Sequence, residues 1–158
     1  MEPRLDAYKR VPGALPAMRG LENLVRESGL EAPLLELVRI RASQMNGCAY
    51  CLDMHSKDAR AAGETEQRLD TLSAWRETAF FTDRERAALE WTESVTDVAH
   101  AHVPDATYER VRKLFTEAEL VNLTMAIVAI NGWNRIAISF RMVPGAYQPK
   151  KSQVPRER

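Results

Sequence analysis

The chain has 158 residues, in which 22 lysines and arginines balance 22 aspartates and glutamates to give a formal net charge of +0 at neutral pH. This length suits one domain with its own hydrophobic core, and the lack of net charge gives no general attraction to nucleic acid or anionic lipid. An apolar content of 45% with 28% charged residues is ordinary for a globular protein and excludes a largely disordered chain.

Apolar side chains recur at intervals of three and four residues almost throughout the chain, with very little two-residue alternation. This periodicity predicts an all-α fold. We expect a single domain whose helical core spans about residues 16–143. Prolines and glycines near both ends predict an extended arm over residues 1–15 and a loose tail over residues 144–158, and neither end is expected to carry chemistry.

The first helices of the core are separated by glycines. One helix is predicted over about residues 17–28 and a second over about residues 33–45. The Asn46–Gly47 break then precedes a third helix, which begins near Cys48 and ends at Gly63. The break therefore places the cysteines of the chain at the start of a helix.

Two later helices open with a capping-box pattern, in which a threonine hydroxyl and a glutamate carboxylate each pair with a free backbone N–H group. The patterns run from Thr82 to Glu85 and from Thr116 to Glu119. The second precedes the most apolar segment, residues 120–140, whose apolar side chains lie all around the helix. We expect this helix to be buried on most sides, by the core or by a neighbouring subunit.

The chain shows no apolar segment of the kind that opens a secretory signal and no uninterrupted apolar run of about 18 residues, the length that crosses a membrane. We therefore expect a cytoplasmic protein with no membrane partner and no nucleic-acid partner. The two cysteines are separated by only two residues. In an intracellular chain, such a pair indicates redox or metal chemistry rather than a disulfide framework.

The cysteines belong to the pattern Cys48-x-x-Cys51-x-x-x-His55. At about 100° per residue, these positions fall within roughly 60° of one another, so two thiols and an imidazole share one helix face. Unpaired N–H groups and the helix dipole favour thiolate in the first turn, so we expect lowered thiol pKa values. A thiolate attacks a peroxide oxygen or a disulfide sulfur, and the second cysteine can then close a disulfide.

Such a reaction also needs a group that takes and returns protons. His55 is one candidate. Glu36 is the other, because it lies about 15 Å before the break along one helix while His55 lies about 12 Å beyond it along the next. If the two helices fold back as a hairpin, the carboxylate comes level with the imidazole and can orient it. The mechanism therefore requires the hairpin.

A zinc site is the alternative interpretation of the same residues. The two cysteines and His55 are suitable ligands, with Glu36 or Asp53 as a conceivable fourth. Structural zinc usually takes a second ligand pair from a distant segment, however, and the remaining histidines, His100 and His102, lie at a predicted exposed helix end. The spacing does not suit a structural zinc finger.

The combined pattern resembles a known family. Glu36 and the cysteine–histidine motif are followed by LSAWRE at residues 72–77 and FFTDRERAAL at residues 80–89. Together they look like the alkylhydroperoxidase D (AhpD)-like branch of the carboxymuconolactone decarboxylase superfamily, over roughly residues 21–143. The decarboxylase branch is a weaker match, because the C-x-x-C pair belongs to the redox branch.

The resemblance implies an all-helical fold whose subunits associate as trimers or hexamers. It also implies a thiol peroxidase that reduces hydroperoxides and is recycled by an external dithiol, such as a lipoyl-bearing protein or a thioredoxin-like donor. By position, Cys51 would attack the peroxide, Cys48 would resolve the intermediate, and Glu36 with His55 would relay protons. The redox group would be a Cys48–Cys51 disulfide, and the reaction would need no bound metal or other cofactor.

One position departs from the family pattern. Tyr50 stands where the best-studied members have a histidine, and a phenol with an ordinary pKa of about 10 donates hydrogen bonds but is a poor base at neutral pH. This leaves open a general disulfide reductase, or a redox-sensing or zinc-binding stress-response protein without peroxidase turnover. Asn131 and Asn134 would line the site or an interface, although structural hydrogen bonding is the favoured interpretation of both.

Overall fold

The computed structural model describes residues 2–149, and every regular element among them is helical. In chain order the elements are α1 (Ala7–Arg10), α2 (Ala14–Arg26), α3 (Ala32–Asn46), α4 (Ala49–Ala61), α5 (Glu66–Thr71), a 3₁₀ segment (Leu72–Glu77), α6 (Asp83–Thr96), α7 (Val98–Ala101), α8 (Asp105–Val111) and α9 (Glu117–Phe140). The predicted all-α fold is confirmed.

Helix α3 is the central element of the bundle. It packs against α4, α6 and α9, and α2 packs against α9 in turn. Its side chains Leu37, Val38 and Ile40 are almost completely buried. Burial of each such side chain stabilises the fold by about 1.5–3 kcal/mol, so α3 is firmly fixed relative to the helices around it.

Helix α9 is long and apolar enough, by length and composition, to cross a membrane. Core helices of soluble proteins share this property. Here Leu123, Ala126 and Ile127 are buried in a cluster with side chains of α2, α3 and α6, which accounts for the apolar composition. On its other faces Val121 and Val128 remain exposed in the single chain.

Both predicted capping boxes are formed. The N–H of Thr82 donates to the Glu85 carboxylate at 2.8 Å, and the N–H of Glu85 donates to the Thr82 hydroxyl at 3.2 Å. Thr116 and Glu119 make the same two bonds at 2.8 and 3.3 Å. Since a cap contributes about 1 kcal/mol, these residues fix where α6 and α9 begin.

The N-terminal residues do not form the extended arm predicted for them. Asp6 accepts the N–H groups of Tyr8 and Lys9 at 3.1 Å and so opens α1. The prolines of this region lie outside α1 and break none of its bonds. The N–H of Arg4 donates to the carbonyl of Phe140 at 3.0 Å, which places this region against the C-terminal end of α9.

The residues that follow α9 are tied to α4 rather than loose. In this C-terminal segment, defined as residues 144–149, the N–H of Gly145 donates to Asp53 at 2.9 Å. Lys57 donates to the carbonyls of Gly145 and Tyr147 at 3.3 and 3.1 Å. Composition alone missed this, because the anchoring side chains lie on α4. The rest of the predicted tail lies outside the described residues.

A Schellman motif joins α3 to α4. Gly47 is left-handed, with φ 68° and ψ 33°, and its N–H donates to the carbonyl of Gln44 at 3.3 Å. The N–H of Cys48 donates to the carbonyl of Ser43 at 3.0 Å. This bond pair ends a helix and reverses the chain. Because α4 then packs against α3, the predicted hairpin is confirmed.

Replacing Gly47 by alanine is expected to lower the free energy of unfolding by about 1–2 kcal/mol, because an L-residue is strained in the left-handed region. An added methyl group meets no atom within 4 Å, so the backbone strain is tested alone. Urea denaturation measures the change. Gly20→Ala, inside α2 and equally open, is the control and should stabilise by about 0.5–1 kcal/mol. Equal effects at both positions would contradict the assigned turn.

Candidate active site

The start of α4 brings two thiols together. Cys48 is the N-cap residue, with an extended backbone, and its Sγ accepts the N–H of Cys51 at 3.4 Å. A sulfur thus takes the place that a serine or aspartate oxygen commonly fills at a helix start. Cys48 and Cys51 are 1% and 2% exposed, and both are free. The predicted dithiol exists, and it is buried.

The two thiols share one negative charge. The hydrogen bond from the Cys51 thiol lowers the pKa of Cys48 to about 7, and backbone N–H groups and the Asn134 amide also favour its thiolate, against the effect of burial. The same thiol contact, together with burial and the charge on Cys48, raises the pKa of Cys51. The expected lowering therefore holds for Cys48 and not for Cys51, because adjacent sulfurs do not both ionise readily.

A carboxylate–imidazole couple lies one helical turn along α4. The Nδ1 of His55 lies 2.8 Å from the Oε2 of Glu36, across the hairpin as the spacing predicted. Burial raises the pKa of Glu36, but the bond and charge of His55, with those of Arg39, outweigh it and hold the pKa below its usual value. An ionised carboxylate only accepts, so Nδ1 donates and Nε2 is left for proton exchange.

Arg39 fixes this carboxylate from the other side and was not foreseen from the sequence. Its Nη1 donates to Glu36 at 2.6 Å, and its Nη2 pairs with Glu22 of α2. Arg39 is buried, with 9% of the residue exposed, so the pair is poorly screened by solvent. The available signal was the three-residue spacing of Glu36 and Arg39 on one helix face.

Two asparagines of α9 hold the hairpin turn. The Nδ2 of Asn46 donates to Asn131 at 3.0 Å and to Asn134 at 2.8 Å, and Asn134 donates in turn to Ser43 at 3.0 Å. Asn134 also interacts with both sulfurs, where its amide favours the thiolate form. Asn131 thus has a structural role, whereas Asn134 both supports the turn and lies at the site.

Tyr50 packs against the cluster that contains both cysteines. Burial raises the pKa of Tyr50, and the negative charge of the cysteine pair and that of Asp53 raise it further. The phenol therefore keeps its proton at neutral pH. As its chemistry suggested, Tyr50 can serve as a hydrogen-bond donor and not as a base.

Tyr8 reaches the same neighbourhood from the N-terminal region. Its ring packs edge-on against Trp133 at a centroid distance of 6.4 Å, and Trp133 packs against the cysteine cluster. The Tyr8 hydroxyl is buried and has no hydrogen-bond partner among residues 2–149. Burial is the largest of the effects that raise the pKa of Tyr8. No local pattern predicts this contact, because it joins segments that are distant along the chain.

A cleft of about 280 Å³ lies between the N-terminal region and the end of α9. Tyr8 and Tyr50 both line it, so it adjoins the sulfur pair. Its other walls are mostly apolar and comprise Pro3, Leu5, Asp6, Ala7, Ile136, Phe140, Met142 and Val143. Neither cysteine lines the cleft itself, and Tyr50 stands between its apolar walls and the cysteine cluster.

Potential metal ligands are grouped differently from the zinc site considered above. Among the residues that the structure describes, Glu36, His55 and Asp58 each place one ligand atom within 4.8 Å of the other two. Neither sulfur belongs to this group. The structure thus separates the dithiol from the cluster of carboxylates around the imidazole, and it adds Asp58 to the residues that the sequence singled out.

Residues 12–94, which include the cysteine pair, Glu36 and His55, match the model of the carboxymuconolactone decarboxylase family. The chain belongs to this family. It is 44% identical to the uncharacterized protein YdfG of Bacillus subtilis. The aligned region spans 139 residues, which are 88% of this chain and 95% of YdfG.

Solved structures of similar proteins share the fold of this family member. ATU0492 from Agrobacterium tumefaciens, a protein of unknown function assigned provisionally to antioxidant defence as AhpD, has a TM-score of 0.89 and 43% identity, over 92% of this chain and 100% of ATU0492. The debrominase Bmp8 has a TM-score of 0.78 over 87% of this chain and 74% of Bmp8, and at 18% identity it shares the fold alone.

The absorbance of reduced protein at the thiolate band is expected to rise with a midpoint at a pH of about 7, the pKa of Cys48. Cys48→Ser should remove this transition and leave only a rise at higher pH. Asn134→Ala should move the midpoint upward, because it deletes an N–H donor that favours the thiolate. A transition near neutrality that persists in Cys48→Ser would place the charge on Cys51 instead.

Tyr8→Phe is expected to raise the free energy of unfolding by about 1 kcal/mol, since it removes a buried hydroxyl that has no partner while keeping the ring. Urea denaturation measures the change. Tyr108→Phe is the matched control, because Tyr108 is exposed and its ring also contacts a tryptophan, Trp91. A loss of stability in Tyr8→Phe would show that the hydroxyl is bonded.

Proposed function

We propose that this family member is a thiol peroxidase of the AhpD type, which reduces hydroperoxides through Cys48 and Cys51. The observation that carries the proposal is a buried thiolate–thiol pair one helical turn from the Glu36–His55 couple. Membership of the carboxymuconolactone decarboxylase family and the likeness to ATU0492 support an oxidoreductase of this kind.

The first step in this proposal breaks the peroxide bond. A thiolate attacks the terminal oxygen of the hydroperoxide, the O–O bond cleaves, and the sulfur becomes a sulfenic acid. The leaving alkoxide takes a proton from Nε2 of His55, whose Nδ1 stays bonded to Glu36. This proton transfer is general acid catalysis by a ring that the carboxylate holds in place.

The second step closes the disulfide. The remaining thiol gives its proton to the now neutral imidazole and attacks the sulfenic sulfur. The sulfenic oxygen leaves as water, taking that proton back from the ring. The products are one alcohol, one water and a Cys48–Cys51 disulfide. An external dithiol then reduces the disulfide and is itself oxidised; a lipoyl-bearing or thioredoxin-like protein is the proposed donor.

The attacking sulfur is assigned to Cys51 by the family pattern, whereas the resting charge lies on Cys48. The two assignments are compatible because the thiols share a hydrogen bond. Transfer of the Cys51 proton to Cys48 across that bond makes Cys51 the thiolate at the moment of attack. Cys48 then holds a thiol proton, as a resolving cysteine requires before the disulfide closes.

We further propose that the working form is a trimer or hexamer in the cytoplasm. Val121 and Val128 on α9, with Leu24 on α2, are large apolar side chains that stay exposed in the single chain. Contact between copies would remove such surface from water.

A general disulfide reductase is the second candidate function, and the presence of Tyr50 favours it. A protonated phenol beside the sulfurs supplies no base in place of the family's histidine. Such an enzyme would exchange disulfides with a partner protein and turn over no peroxide.

One equivalent of an organic hydroperoxide added to reduced protein should remove two hydrogen atoms by mass spectrometry as the disulfide forms. Cys48→Ser should instead gain one oxygen at Cys51, while Cys51→Ser should react slowly. With dihydrolipoamide as donor the wild type should turn over repeatedly, and Glu36→Gln should be slower by about a hundredfold, the usual size of an acid–base contribution.

Glu22→Gln is the matched control for that variant, because it removes a carboxylate from Arg39 without touching His55. It should keep most of the turnover. Disulfide formation without repeated turnover would favour the reductase. One zinc per chain that survives a chelator would contradict the thiol enzyme altogether.

A further inference from the structure

Neither sulfur of the dithiol is accessible to a macromolecule in this structure. Cys48 and Cys51 are almost completely buried. Thiol–disulfide exchange brings the attacking sulfur to bonding distance from one of the cysteine sulfurs, about 2.05 Å. Recycling by a partner dithiol therefore requires that part of the covering structure moves away.

The dithiol is covered in two layers. Tyr50, Trp133 and Met142 form the inner layer and pack against the cluster that contains both cysteines. The outer layer is the N-terminal cover, defined as residues 3–10. The Tyr8 ring of this cover packs edge-on against Trp133, and Tyr8 lines the same cleft as Tyr50 and Met142. Displacing the cover would give the inner side chains room to turn outward.

The N-terminal cover is weakly held. The N–H of Arg4 donates to the carbonyl of Phe140 at 3.0 Å, and its Nη1 donates to the carbonyl of Ser139 at 3.0 Å. The second of these bonds is exposed to solvent. Helix α1 has four residues, and none of them is buried. A segment with little buried surface and solvent-exposed hydrogen bonds opens at a low free-energy cost.

The Tyr8 hydroxyl opposes the closed position of the cover. It is buried and has no hydrogen-bond partner among residues 2–149. Leaving a buried hydroxyl unpaired costs free energy, and water relieves this cost once the cover opens. The ring, by contrast, stabilises the closed position through its contact with Trp133. Together the two parts of Tyr8 keep an open state within reach of the closed one.

The link between the cover and the bundle lies at residues 11–13. Val11 ends α1 with a non-helical backbone, at φ −131° and ψ 86°, and Gly13 is the N-cap residue of α2. A Cβ added at Gly13 meets no atom within 4 Å, so the link is not crowded. Helix α2 packs against α9 and stays with the bundle. A few residues at the end of an element are the usual place for a hinge.

The C-terminal segment is held more firmly than the cover. The N–H of Gly145 donates to Asp53, and Lys57 donates to the carbonyls of Gly145 and Tyr147. The Tyr147 hydroxyl donates to the Asp58 carboxylate, with its two oxygens at 2.8 and 3.0 Å. Hydrogen bonds to charged groups are about twice as strong as neutral ones. The N-terminal cover is therefore the segment that opens first.

We propose that the N-terminal cover is a hinged lid on the dithiol, which swings at residues 11–13 to admit the partner dithiol that recycles the enzyme. This inference rests on the proposed peroxidase function, because the recycling step supplies the partner. In the open state Tyr8 leaves Trp133 and its hydroxyl is hydrated. The partner then approaches over Tyr50, and two electrons and two protons pass from its dithiol to the Cys48–Cys51 disulfide.

The test measures how fast fluorescein maleimide, a bulky thiol reagent, modifies reduced protein at one fixed pH. Each rate is divided by the thiolate absorbance of the same variant, so that a change in thiol ionisation is not counted as a change in access. Tyr8→Phe keeps the ring and removes the unpaired hydroxyl, so it should hold the cover closed and slow modification about fivefold. Arg4→Ala deletes the bond to the Ser139 carbonyl and should speed modification about threefold.

Lys9→Ala is the matched control. It removes a cation from the same cover, but the Lys9 ammonium pairs with Asp6 of the cover itself rather than with α9. Its modification rate should stay within experimental error of the wild type. Equal acceleration in Lys9→Ala and Arg4→Ala would overturn the inference, because it would assign the effect to the lost charge. An unchanged or faster rate in Tyr8→Phe would also overturn it.

Dilute urea separates opening of the cover from unfolding of the whole chain. Hinged opening exposes little surface, so the modification rate of the wild type should rise only slightly with urea. A rise with the full slope of the unfolding equilibrium would overturn the inference. None of these measurements needs a peroxide. A wild type without peroxidase turnover would therefore refute the proposed function, while the modification rates would still report whether the cover controls access.

Discussion

The contact between Glu36 and His55 depends on one reversal of the chain, at Gly47. Without a left-handed residue there, α3 would continue as one helix, and the carboxylate and the imidazole would lie far apart along it. The same reversal makes Cys48 the N-cap residue of α4, where its sulfur accepts the N–H of Cys51. One backbone conformation thus assembles both the acid–base couple and the dithiol, and Asn134 ties it to the core.

Burial of the dithiol has two opposing effects on its chemistry. It excludes solvent from both sulfurs and disfavours charge on either of them. The hydrogen bond between Cys51 and Cys48 offsets this for one sulfur only, which leaves a single thiolate near neutral pH. The pair therefore keeps a nucleophile and a proton donor in adjacent positions while both atoms remain covered by neighbouring side chains.

Local signals predicted most of the fold and half of the site. Capping boxes, the glycine break and helical periodicity act over a few residues, so the helices, the hairpin and the approach of Glu36 to His55 followed from spacing. Tyr147 and Tyr8 did not, because each meets the site from a segment far away along the chain with no periodic relation to it. The sequence also did not predict which cysteine carries the negative charge, because this depends on which thiol donates a hydrogen bond to the other.

Described residues on both sides of the helical core, near Arg4 and near Gly145, are bonded to it, and a shortened version of this protein would lose these contacts. A version trimmed to residues 16–143, the boundary that periodicity alone suggests, would retain the dithiol, Glu36 and His55. It would lack two phenols, one against the cysteine cluster and one on the Asp58 carboxylate. Measurements on such a trimmed chain would describe a site that lacks both of these aromatic side chains.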